Sequence, residues 1–159
     1  MVNEDVFSGY RSALILLFAY QNAVAKEIGI ERAVAVQTKM IESLGAKQGA
    51  MMKEKIGIKG NDAIAAIPLI KSLKDSAGFN IEIVAQSPQR VVIKNGRCPF
   101  YEAAMAVGMD PKAAEASCRM GSMKFADSAV KQINPNLSIH ITNFRSTPDG
   151  SCTEEIALS

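Results

Sequence analysis

The chain has 159 residues, 48% of them hydrophobic and 21% charged, the proportions of an ordinary folded domain and not of a disordered one. Eighteen Lys and Arg against sixteen Asp and Glu leave a net charge of +2, too small and too evenly spread for a nucleic-acid-binding surface. One His (His140), no Trp and three Cys (Cys98, Cys118, Cys152) make His–Ser catalysis or a multi-His metal site hard to assemble, so chemistry must lean on cysteine, carboxylate or backbone groups.

The odd number of widely spaced cysteines does not read as a disulfide framework, which predicts free thiols and a cytoplasmic, reducing setting. The start, Met1-Val2-Asn3-Glu4-Asp5, is acidic where a secretory signal is basic. The apolar run Ala13 to Tyr20 stops at Gln21-Asn22, far short of the roughly 20 residues that cross a bilayer, so no membrane association is expected.

Asn3 or Asp5 caps a first long helix, with Leu14, Leu17, Phe18, Val24 and Ile28 at helical spacing and Gly29 as its stop. A second helix is expected from about Glu31 to Ile56. Gly45 and Gly49 weaken its middle by roughly 1 kcal/mol each, or let another element approach closely. After Gly57-Ile58-Lys59-Gly60, Asn61 or Asp62 caps a third helical stretch ending near Gly78, which Pro68 kinks or restarts.

At Phe79 the period changes from helical to alternating. Ile81 to Gln86 and Arg90 to Lys94 read as a hairpin around Ser87-Pro88-Gln89. Pro99 opens a short helix over Phe100 to Val107, and Asp110-Pro111 opens a longer one reaching about Ile133, stopped by Asn134-Pro135-Asn136. Leu137, Ile139 and Ile141 line one face of a third strand; Thr147-Pro148-Asp149-Gly150 turns the chain; Cys152, Ile156 and Leu158 line one face of the last.

The order ααα-ββ-αα-ββ predicts an α+β two-layer sandwich, a four-stranded, mostly antiparallel sheet with helices on one face. No linker or fixed-period repeat divides it, so residues 1–159 are expected to form one unit, helical over 1–78 and ββααββ over 79–159.

Cys98, in Gly96-Arg97-Cys98-Pro99, precedes a helix N-terminus, where orphan N–H groups and the dipole lower a thiol pKa. Arg97 pushes the same way, and Glu102, one turn in, is placed to orient the group or act as a base. The position equally suits a small buried hydrophobe. Cys118 has Gly121 and Ser122 on its own helix face, leaving space for a neighbour or a ligand, and a lone helical cysteine is also ordinary core. Cys152 shares the apolar face of Ile156 and Leu158.

Three thiolates with His140 make a formal Cys₃His zinc set, although no two ligands are closely spaced, and His140 falls on the strand face opposite Ile139 and Ile141. Met105, Met109, Met120 and Met123 recur at helical spacing near these cysteines, as a soft pocket wall or as core filling. Glu154 and Glu155 point to opposite faces of a strand and cannot cooperate as a carboxylate pair. There is no Gly-x-Gly-x-x-Gly after a strand and no P-loop.

At Arg97-Cys98-Pro99-Phe100-Tyr101-Glu102-Ala103, followed by Gly108, Cys118, Asp127 and Asp149-Gly150-Ser151-Cys152, the sequence resembles the L-2-amino-thiazoline-4-carboxylic acid hydrolase-like family. It is also similar to methanogen sensor output domains and, more distantly, to the 4-vinyl reductase and Golgi-tethering ligand-binding superfamily. The resemblance runs from the helix junction at Glu27 to the end. It implies a two-layer domain enclosing a small-molecule pocket lined by Cys98, Cys118 and Cys152. Asp127 stands nine residues after the helical cysteine, further than the family pattern places its Asp.

Three function classes follow. In the first, the resemblance implies a hydrolase opening a C–N or C–S bond of a small cyclic amino-acid-like substrate. Cys98 is then the nucleophile or positioning thiolate, Arg97 holds a carboxylate, Glu102 or Asp127 handles protons, and Met105 and Met120 join the cysteines around the ligand. In the second, the domain is a non-catalytic module for a small ligand, a redox signal or a thiolate-bound metal such as zinc. In a third, the chain is purely an interaction subunit of a homodimer, with the apolar first helix as its contact.

Overall fold

The computed structural model describes residues 3–159. Helix α1 (Glu4–Ile28) starts where the Asn3 side chain accepts from the Val6 N–H at 3.3 Å, with Glu4 and Asp5 in its first turn. It ends at Gly29, whose φ of 85° turns the chain into α2 (Ile30–Ile56). A 3₁₀ turn (Ile64–Ala66), entered where Asp62 Oδ1 accepts from the Ala65 N–H, leads into α3 (Ile67–Ser76) with Pro68 in its first turn.

Strands β1 (Ile81–Gln86) and β2 (Arg90–Asn95) form the first hairpin; α4 (Pro99–Ala106), α5 (Pro111–Cys118) and α6 (Lys124–Val130) follow; β3 (Leu137–Asn143) and β4 (Cys152–Leu158) complete the sheet. The strand order is β1-β2-β4-β3 and every pairing is antiparallel. The α+β class, the element order and the antiparallel sheet therefore match what the periodicities predict. The long helix expected from Asp110 to about Ile133 is not uniform. A π-helical turn, Arg119–Met123, separates α5 from α6 around Gly121-Ser122, two weak helix formers, and the last regular residue is Val130.

The close approach allowed by the α2 glycines is present. A Cβ at Gly45 would lie against the Phe125 carbonyl, and one at Gly49 would stand 2.6 Å from the Ala129 Cα, so α2 and α6 pack backbone to backbone. Helix α1 lies on α4, with Phe18 and Phe100 edge to face at 5.1 Å. Val91, Ile93, Leu137, Ile139, Ile141 and Ile156 point from the sheet into this layer and are all buried, whereas His140 on the other face is exposed. Among the described residues no helix is long and apolar enough to cross a membrane.

Candidate functional site

The inner face of the sheet changes character along its length. Val91 of β2, Ile156 of β4 and Ile139 of β3 form one apolar row in register. Two residues along, Ile93 faces Glu154 and Glu154 faces Ile141; a further two along, Asn95 faces Cys152. Strand alternation therefore sends Asn95, Cys152 and Glu154 inward, beneath the helix layer.

Cys98 reaches this end as the N-cap of α4. Its backbone is extended, and its Sγ accepts from the Tyr101 N–H at 3.4 Å. Cys118 arrives as the last residue of α5, and the π turn brings Ser122 and Met123 onto the same side. Cys152 opens β4, where its Sγ accepts from the Arg145 backbone N–H at 3.4 Å and from Arg145 Nε at 3.3 Å. All three cysteines are free, buried, and line one cavity. Phe79, Phe100, Tyr101 and Phe144 wall it, and the space enclosed is about 20 Å³, room for roughly one water. A hollow of about 400 Å³ beside Lys53, Glu54 and Gln132 is wider but open to solvent, and touches none of the cysteines.

Burial decides the state of the thiols. It pushes Cys98 above the ordinary thiol range, against the Tyr101 N–H and the Arg145 and Lys74 charges, which act the other way. Burial also pushes Cys118 up, reinforced by neighbouring Cys98. The helix N-terminus therefore does not by itself lower the Cys98 pKa, because desolvation outweighs the Tyr101 N–H and the Arg145 and Lys74 charges.

Two ionic arrangements hold the site. Lys74 of α3 donates to Glu154 Oε1 at 2.6 Å, with its Nζ 4.6 Å from the centre of the Phe79 ring. Arg145, 2% exposed, donates to the Asn95, Gly96 and Pro148 carbonyls as well as to Cys152. It ties the chain on both sides of the cavity mouth together, and Tyr101 adds a bond from its hydroxyl to the Ser146 carbonyl at 3.0 Å.

The other predicted site residues lie elsewhere. Arg97 does not face the cavity; it donates to Glu4 and Glu102 at the surface and stacks over Phe7 at 4.1 Å. Glu102 is held by Arg97 and Arg11. Asp127 accepts from the Ile139 N–H at 3.2 Å and from Lys131, which fastens α6 to β3. Met105 packs against the core, Met120 is exposed, and of the four methionines only Met123 lines the cavity.

Among the described residues no three His, Cys, Asp or Glu side chains are grouped to hold a metal ion. The zinc set is corrected on its donors: Cys152 already faces a guanidinium, which repels a second cation, and His140 is on the far side of the sheet.

Lys74, Asn95, Arg145 and Glu154 were not among the candidates. Alternation marked two of them, since Glu154 falls in phase with Cys152 and Ile156, and Asn95 with Val91 and Ile93. Lys74 falls one turn after Ile70 on a buried helix face. Arg145 sits in a connection without periodicity, and nothing local signals its burial.

A layer of helices over an open antiparallel sheet, with a small aromatic-walled cavity between them, defines a two-layer α+β domain. The chain belongs to the L-2-amino-thiazoline-4-carboxylic acid hydrolase family, whose profile matches residues 10–153. The fold is shared with the phenol-responsive sensory domain of the transcription activator PoxR, solved with phenol, at a TM-score of 0.66 and 10% identity over 91% of this chain and 74% of that one. Trafficking protein particle complex subunit 3 from Naegleria fowleri, covalently bound to palmitic acid, aligns at a TM-score of 0.45 and 13% identity over 92% and 95% of the two chains. No curated protein matches the sequence.

Proposed function

We propose that this protein binds a small cyclic, amino-acid-like molecule in the cavity between sheet and helices, and that residues 1–159 act as one ligand-binding unit. The observation that carries this reading is the convergence of Cys98, Cys118 and Cys152, from three separate elements, on one cavity with aromatic walls. The cavity must widen to admit a ring, and Met123 and Ser122 on the π turn are its most adaptable wall. Titration calorimetry with 2-amino-thiazoline-4-carboxylate tests the reading, together with alkylation of Cys98 and Cys118. Saturable binding that shields both thiols is expected; binding that leaves their alkylation unchanged would move the ligand out of this cavity.

Family membership favours a second, catalytic reading. Cys98 then attacks the ring carbon, the C–N bond breaks with the thiol proton passing to nitrogen, and water cleaves the resulting S–C bond, hydroxyl to carbon and proton back to the Cys98 sulfur. Arg145 replaces Arg97 as the cation for a substrate carboxylate because it lines the cavity and Arg97 does not, and the carboxylate would take the place of carbonyls that Arg145 now binds. Turnover lost in both C98S and C98A supports this; full turnover in either removes Cys98 as nucleophile and leaves the binding reading standing.

A homodimer through α1 belongs to the same proposal, since Leu16 and Tyr20 are 73% and 67% exposed there. Light scattering of the wild type and of L16E checks it, with a dimeric mass expected to fall to the monomer in the variant. A cytoplasmic setting is the natural one for three free, buried thiols.

A further inference from the structure

We propose that Asn95 and Glu154 form the recognition pair of this cavity, selecting a ligand with a neutral H₂N–C=N edge, as in a 2-amino heterocycle. The assignment rests on the reading that a ligand enters the cavity, and adds which side chains select it and by what chemistry.

Among the described residues four buried side-chain nitrogen or oxygen atoms have no hydrogen-bond partner, and three of them are Asn95 Nδ2, Asn95 Oδ1 and Glu154 Oε2. Asn95 is 1% exposed and Glu154 3%. Both line the cavity. A buried polar atom left unpaired costs stability, and leucine would fill the Asn95 position at similar volume without that cost. A cluster of such atoms in one cavity calls for a partner that the chain does not supply, either one bridging water, which the space already admits, or the polar edge of a ligand that displaces it.

The unmet valences specify that partner. Asn95 offers one acceptor and one N–H donor group. Glu154 offers one acceptor, because Lys74 already occupies Oε1. The complement is one acceptor and two donors. An amino group on a carbon double-bonded to nitrogen has this set: one N–H to Asn95 Oδ1, one to Glu154 Oε2, and the ring nitrogen accepting from Asn95 Nδ2. A carboxamide reads such an edge with two bonds, as it does adenine in a DNA groove. Asn95 and Glu154 lie diagonally on neighbouring strands, since Asn95 faces Cys152 two residues from Glu154. Such positions are about 7–8 Å apart, a span that one small group fills. Lys74 neutralises Glu154, so the pair suits a neutral amino heterocycle over a cationic one.

The test compares 2-aminothiazole with 2-methylthiazole, which are close in shape and both neutral at pH 7.5. Calorimetry on the wild type is expected to favour the amino compound on the order of tenfold or more. In N95L the preference should fall to within about twofold while the melting temperature rises by a few degrees, because an unpaired amide has been removed. Equal affinity of the two probes for the wild type would overturn the recognition pair and leave the cavity as a ligand site. Binding of neither would overturn both. A less stable N95L that keeps its preference would also overturn the pair, and would mark Asn95 as a structural residue satisfied by buried water. The wild-type comparison needs no variant to fold.

Discussion

The two ends of the inner sheet face share strands, register and depth, and differ in what holds them. At one end Val91, Ile156, Ile139 and Leu137 are at most 3% exposed, and their side chains belong to one apolar cluster. At the other, Asn95 and Glu154 are just as deeply buried, yet they depend on Lys74 or lack partners. Equal burial thus carries two different energetics. The apolar end is fixed by volume, which tolerates any well-fitting hydrophobe. The polar end rests on the Lys74–Glu154 pair, where removing one partner alone leaves the other buried and unmatched.

The largest effect should come from breaking the pair at the polar end. K74M leaves Glu154 as a buried charge without its counter-ion and should cost about 3–5 kcal/mol in urea unfolding, whereas K74M/E154M should recover most of that loss. A double variant as unstable as the single would mean that packing, and not charge, rules this end. At the apolar end I156A should cost about 3 kcal/mol through the cavity it leaves, with the affinity of any cavity ligand retained.

A smaller effect should separate the ends by pH. Cys98 and Cys118 have folded-state pKa values raised by burial, so their contribution to stability is complete below the unfolded thiol pKa of about 8.5 and is lost as pH rises above it. Between pH 7.5 and 9 stability should fall as the unfolded thiols ionise and the buried ones stay protonated. C98S/C118S should flatten that slope, while I156A should not change it. The smallest effect belongs to R97A, which removes a half-exposed guanidinium from Glu4 and Glu102 and should cost under about 1 kcal/mol without altering ligand affinity. A large loss of affinity in R97A would return Arg97 to the site.

The sequence made the apolar end almost fully readable, because alternation in Leu137-Ser138-Ile139-His140-Ile141 and in the β2 run names both the strands and their buried faces. The three cysteines were legible as residues, and the strand and helix starts fixed where two of them stand. Their protonation state was not, since a helix N-terminus is a local feature and desolvation depends on everything packed above it. Arg97 and Glu102 misled for a related reason: closeness in sequence to Cys98 did not reveal that α1 brings Glu4 and Arg11 to them. Lys74 and Arg145 reach the site over 80 and 50 residues from the partners they bind, which no local pattern records. The π turn escaped because Gly121-Ser122 inside a helix reads as weakness, not as a change in hydrogen-bond register.

That turn has a consequence for how this site can change over generations. Residues Arg119–Met123 wind with one residue more per turn than an α-helix uses, so the surplus is absorbed locally and α5 and α6 keep the phase of one continuous helix. Winding the same residues as a regular α-helix would instead turn Cys118 by about 100° relative to α6, away from Met123 and the cavity. Removing one residue that does not line the cavity, such as Gly121, would restore a regular helix with Cys118 still in phase. The roof of the site can therefore gain or lose a residue without turning its cysteine away, which gives the pocket room to change width while both helices stay packed.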